Sequence, residues 1–110
     1  MTSQLDTQFP YAPDDWTRAS AIEAAQQEEI NLDADHWEAL RALQEYYVKH
    51  EDIIINMREL HDALDEKFHG KGGIKYLYLL FPGGPLAQGC RIAGLKAPVG
   101  ATDLGFGSVA

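Results

Sequence analysis

Residues 76–95 read YLYLLFPGGPLAQGCRIAGL, and the fold turns on how this stretch divides. The run Ile74 to Phe81 is apolar nearly all round, the pattern of a buried central helix. Pro82-Gly83-Gly84-Pro85 then stops it, because proline lacks a backbone donor and glycine lets the chain turn. Pro85 suits the first position of the next helix, since its fixed φ is already helical. Gly94 is placed as the C-terminal stop of that helix.

Upstream, Gly70-Lys71-Gly72-Gly73 forms a turn that ends a helix expected over about Met57 to Phe68. There Met57, Leu60, Leu64 and Phe68 recur at helical spacing as a core stripe. Asn56 followed by Glu59 resembles a capping box, with Asn in place of Ser or Thr. Ile53-Ile54-Ile55 is too short for a strand and reads as a buried connector. The helix before it is expected over about Ala34 to His50, capped by Asp33. His36, Leu40, Leu43, Tyr47 and His50 fall on its apolar face; Glu38, Arg41, Glu45 and Lys49 fall on the other. A first helix, about Asp15 to Glu29, is expected to start on an Asp14 cap, with a thin stripe of Trp16, Ala19, Ile22 and Ala25. Residues 1–13, punctuated by Pro10 and Pro13, read as an extended arm or remnant strand. Residues 95–110 carry Pro98, Gly100, Gly105 and Gly107 without a period and read as a mobile C-terminal arm. The expected fold is one all-α domain over residues 14–94, a bundle of four to five helices with a helix-turn-helix-like pair, flanked by the two arms.

Size and composition fit that picture. The 110 residues, 45% of them apolar, allow one core. The single cysteine, Cys90, permits no intrachain disulfide and suits a reducing compartment. The opening MTSQLDTQFPY lacks a secretory pattern, and no apolar run approaches the ~18 residues of a membrane span. A cytoplasmic location is the expectation. A net charge of −8 weighs against nucleic acid and anionic membranes as partners. The charge is uneven, however. From Lys71 onward Lys71, Lys75, Arg91 and Lys96 stand against a single acid, Asp103, a contrast that a partner protein could read.

Few residues offer chemistry. Cys90, about one turn into its helix with Arg91 beside it, could be a reactive thiolate. Leu86, Cys90 and Ala93 also share one helical stripe, which favours a core cysteine. His36, His50, His61 and His69 show no ligand spacing, so neither a metal nor a cofactor is expected; His36 and His50 read as polar-tipped residues at the core edge. The carboxylates sit on solvated faces and give no catalytic pair. The GKGG turn lacks the GK[ST] ending of a phosphate loop. The helix that would enter a DNA groove sets Asp62, Asp65 and Glu66 against Arg58 and Lys67, a poor balance for that role.

Three stretches resemble the DsrC/TusE family, whose members include the gamma subunit of dissimilatory sulfite reductase. Asp35-His36-Trp37-Glu38 with Tyr46-Tyr47 is similar to the family's HWE…YY helix, and Arg58 matches in the third helix. The most specific run is Tyr76-Leu77-Tyr78, Leu80-Phe81-Pro82, Gly84-Pro85, then Gln88-Gly89-Cys90-Arg91-Ile92-Ala93-Gly94-Leu95. The resemblance covers roughly residues 14–102 and implies a small helical protein with a flexible C-terminal arm. In the family that arm ends in a penultimate cysteine that carries sulfur as a persulfide. Many dissimilatory members hold a second cysteine eleven positions earlier, which can be bridged to the first through sulfur. Cys90 matches the upstream cysteine. The arm position falls on Ala101, whose methyl group cannot hold a persulfide, and the chain runs on through Asp103 to Ala110.

The resemblance therefore implies partners of the sulfur-relay or sulfite-reductase kind rather than a stand-alone enzyme. Arg91, Gly94, Leu95 and Lys96, where the arm leaves the body, are the candidate partner-binding residues. Three functions stay open: a degenerate or regulatory member that binds partners without carrying sulfur on its arm; a carrier acting through Cys90, or a carrier with its arm cysteine replaced for study; and, weakest, a DNA-binding regulator.

Overall fold

The computed structural model describes residues 8–51 and 55–98. Five α-helices follow one another: α1 (Arg18–Gln27), α2 (Ala34–Lys49), α3 (Met57–Lys67), α4 (Ile74–Leu80) and α5 (Ala87–Ala93), with a single 3-10 turn at His69–Lys71 between α3 and α4. No strand occurs among the described residues. The bundle is built around α5, which packs on both α1 and α2, while α4 leans on α3.

Local capping explains where the helices begin. Asp33 accepts from the N–H groups of Asp35 and His36 and opens α2 at the expected place. Asn56 opens α3 by accepting from Glu59 N–H at 3.1 Å, the forward half of the expected capping box. The start of α1 differs from the sequence reading. Thr17, not Asp14, is its cap, paired reciprocally with Ser20. The reason is Trp16, whose indole N–H donates to Ile92 C=O at 2.9 Å. Residues 14–16 stay non-helical, which delivers that ring to α5. The buried side of α1 is then Ala21 and Ala25 beside Trp16, with Ala19 and Ile22 turned to solvent.

The segment expected as an extended N-terminal arm is a turn over its described part, with Ala12 N–H on Phe9 C=O at 3.2 Å. It buries Phe9 against Trp16 and Trp37, at centroid distances of 5.0 and 5.7 Å. Of the expected connector, Ile53 lies with Ile54 outside the described residues, and Ile55 is half-buried against the core.

Two further expectations change. In α3 the stripe is Leu60, Leu64 and Phe68, while Met57 overhangs the first turn in solvent. And α4 is not a central buried helix. Leu77 and Leu80 point inward and Phe81 closes the core behind them, but Tyr78 and Leu79 face outward, Leu79 with 77% of its surface exposed. Its N-terminus has no local cap. Asp65 on α3 instead accepts from Ile74 N–H at 2.7 Å. A Cβ on Gly73 (φ 66°) would lie 2.3 Å from that carboxylate, so only glycine fits.

The PGGP break behaves as expected. Gln88 N–H reaches Gly84 C=O and Gly89 N–H reaches Pro85 C=O, so helical bonding in α5 runs back to Pro85. Gly94, at φ 81°, ends the helix in the left-handed region.

Candidate functional site

The thiol expected at the site is wholly buried. Leu86, Cys90 and Ala93 share the inward stripe of α5 as the spacing implied, and Cys90 has no solvent-exposed surface. Burial pushes the thiol up to about 11, only partly offset by its hydrogen bond to Tyr47. At neutral pH the group is therefore a protonated thiol rather than a thiolate. The expected help from Arg91 does not materialise, because its guanidinium faces α1. Its Nε and a terminal N–H donate to the two oxygens of Glu28, each at 2.7 Å.

That pair belongs to a chain of bonds holding α5 in place. Gln88 Nε2 also donates to Glu28 at 2.7 Å, and Gln88 Oε1 accepts from Gly83 N–H at 2.9 Å. Glu28 is held below the ordinary carboxylate range, chiefly by the Arg91 hydrogen bond and against the opposing effect of burial. The PGGP turn, α5 and the end of α1 are thus tied through one carboxylate.

Above the thiol lies Tyr47 of α2. Cys90 S–H donates to its phenolic oxygen at 3.6 Å, and the phenol O–H donates to Lys96 C=O at 2.6 Å. Burial, with the adjoining Cys90 a lesser cause, raises the phenol well above its ordinary value, so Tyr47 stays a donor. One turn earlier, the fully buried Gln44 donates to Ala93 C=O at 3.0 Å. Residues 95–98 are therefore fastened to α2 over the cysteine. Leu95 N–H closes on Cys90 C=O at 2.8 Å, Leu95 is half-buried and Pro98 buried. Gly94 and Lys96 are exposed, and Arg91 presents its outer side to solvent. Ala101, the position that the resemblance sets against the arm cysteine, lies outside the described residues.

The structure thus brings Cys90, Gly94, Leu95 and Lys96 to one corner and adds two residues that sequence reasoning missed. Tyr47 was placed on the right face of α2 but given no role; its i+4 spacing from Leu43 was the available signal. Glu28 sat among surface acids, and nothing in the sequence marked its contact with Arg91, sixty-three positions away.

His36, expected at the core edge, is buried there. Its Nε2 donates to Leu80 C=O at 2.9 Å and its Nδ1 accepts from Asp33 N–H at 3.2 Å, which locks α2 to the end of α4. Asp35 binds Lys71 at 2.7 Å and accepts from Tyr76 O–H, a bond that raises the Tyr76 phenol to about 12. Among the described residues no cluster of three or more His, Cys, Asp or Glu could hold a metal ion, and no helix is long and apolar enough to cross a membrane.

Comparison with known proteins supplies a context for this corner. The sequence matches the family described as DsrC like protein over residues 3–101. The sulfurtransferase TusE of Photorhabdus laumondii is 44% identical over 86 residues, 77% of either chain. The Escherichia coli sulfurtransferase TusE is 39% identical over 85 residues, 76% of this chain and 77% of that one. The NMR structure of Allochromatium vinosum DsrC superposes with a TM-score of 0.66 at 40% identity, covering 81% of this chain and 80% of that one.

Proposed function

The chain belongs to the DsrC-like family that includes the TusE sulfurtransferases, and from that premise we propose that it serves in sulfur relay as a partner-binding member that carries no sulfur on its arm. What supports this reading is that alanine stands at position 101, which the family resemblance sets against the arm cysteine, while the Cys90 thiol is sealed under Tyr47. A relay needs an exposed, readily ionised sulfur, and Cys90 is neither in its resting arrangement. A partner would read the exposed Gly94 and Lys96 and the half-buried Leu95, with the outer side of the Glu28-bound Arg91 one turn back on α5, where the mildly basic third of an acidic chain meets solvent. In this reading residues 14–94 are the body and 95–110 the arm, with residues 1–13 leading in. The site of action is the cytoplasm, among sulfur-relay or sulfite-reductase-type proteins, and the effect on them is regulatory.

The outward side of α3 bears Glu59, Asp62 and Glu66 beside Arg58 and Lys67, which leaves DNA binding the weakest alternative. Carriage through Cys90 is the competing reading and is separable by experiment. The native protein is incubated with a small-molecule persulfide donor and weighed by mass spectrometry before and after denaturation. The expected result is no added sulfur atom on native Cys90 and uptake once the chain is unfolded. Sulfur taken up by the native protein and passed to an acceptor thiol would overturn the proposal.

A further inference from the structure

At the opposite end of α5 from the arm root, the first turn of α3 and the exposed side of α4 enclose an open groove of about 380 Å³. Its floor is Leu86 and Ala87, its walls are Met57 and Tyr78, and Arg58 and His61 stand on the rim. His61 lies 3.8 Å from the neighbouring rim acid Asp62, whereas Arg58 has no ion-pair partner among the described residues. An unpaired cation over an apolar floor, on a chain of net charge −8, calls for a ligand that brings one carboxylate and apolar side chains together.

We propose that this groove is the docking site for the chain's own residues 103–106, Asp103-Leu104-Gly105-Phe106. These residues lie in the segment 99–110, outside the described residues, and Asp103 is the one charged side chain of that segment. In an extended backbone Leu104 and Phe106 fall on one side and Asp103 on the other. That arrangement lays two apolar groups on the floor while the carboxylate turns to Arg58. The distance is within reach. Ala87 is about 5 Å along α5 from Cys90. The Leu95–Cys90 hydrogen bond sets those residues about 6 Å apart, and Leu95 to Pro98 spans at most ~10 Å. Pro98 thus lies at most ~21 Å from Ala87, and from Pro98 the chain can stretch ~17 Å to Asp103, ~20 Å to Leu104 and ~26 Å to Phe106, with the side chains of Leu104, Asp103 and Arg58 adding the last few ångströms. The docked segment draws the arm along α5, away from the corner formed by Arg91 and Lys96, so that a partner seeking the arm competes with the groove. The docking stands whether or not Cys90 accepts sulfur.

The test uses the full 110-residue chain and amide NMR shifts of Met57, Arg58, His61, Leu86 and Ala87. Phe106→Ala removes the larger anchor and is expected to cut the docked population about tenfold, moving those amides while leaving α1 and α2 unmoved. Arg58→Glu is expected to cut it about two- to fivefold, and the exchange Arg58→Glu with Asp103→Lys to restore it. Groove amides indifferent to Phe106→Ala would overturn the proposal. So would shifts that fade on dilution, since they would assign the groove to a second copy of the chain.

Discussion

Helices α4 and α5 are each seven residues long and lie on either side of the PGGP turn, yet they occupy opposite places in the fold. IKYLYLL is the more apolar of the two and sits at the rim. AQGCRIA, built of small residues, is the axis of the bundle. Burial here follows from how closely neighbours can approach rather than from hydrophobicity alone. At Gly89 an added Cβ would stand 2.9 Å from Leu43 Cδ1, and at Gly94 a Cβ would stand 2.9 Å from the Trp16 ring. α1 and α2 can close on α5 because it carries little bulk. α4, with a large side chain at nearly every position, can bury only one flank.

Substitutions can sharpen or break this contrast. The largest effect is expected within α4 itself. Leu77→Ala should cost about 2–5 kcal/mol in urea unfolding, because Leu77 is fully buried and leaves a cavity. At the end of α5, Gly94→Ala should cost about 2 kcal/mol, from a positive φ and the contact with Trp16; a neutral result would mean that Trp16 does not close on α5.

Glu28→Ala should cost about 1–2 kcal/mol by freeing Gln88 and Arg91, the lower end reflecting the wet outer face of Arg91. The sign of its pH dependence follows from its depressed folded-state pKa. The contribution is present above the unfolded value of 4.5 and fades as pH falls through the lower folded one. Acid titration of the wild type should therefore show a loss of stability below pH 4.5 that is smaller in Glu28→Ala, where Asp33, Asp35 and Glu45 still contribute theirs.

Cys90→Ser should cost about 1 kcal/mol, because the smaller hydroxyl leaves a gap among buried apolar neighbours even where it still reaches Tyr47. In the native protein Cys90 should react with a thiol reagent only at the rate of local opening, and immediate labelling would contradict its burial. Leu79→Ser, two positions from Leu77, should change stability by less than ~0.5 kcal/mol. A larger loss would show that Leu79 is covered in solution.

Much of the architecture was legible in the chain. The helix starts at Asp33 and Asn56, the break at Pro82–Pro85 and the stop at Gly94 are local events, each set by a residue acting on the backbone next to it. The register of Leu86, Cys90 and Ala93 was legible for the same reason. The start of α1 was not, because a contact from Trp16 to Ile92, seventy-six positions away, overrides the nearer acid Asp14. The outward turn of Met57, Tyr78 and Leu79 was hidden too, since periodicity reports that a side is apolar and not whether a neighbour exists to cover it.

The chemistry divides along the same line. That the chain holds a single sulfur nucleophile at Cys90 and a methyl group at Ala101 is a property of composition, and no folding can alter it. Whether that one thiol can act is a tertiary matter. Tyr47 and Gln44 from α2, and Lys96 from the arm root, meet around α5 only after the chain has closed. The ionisation of a thiol depends on the dielectric and the donors around it, and those come from residues far away in sequence.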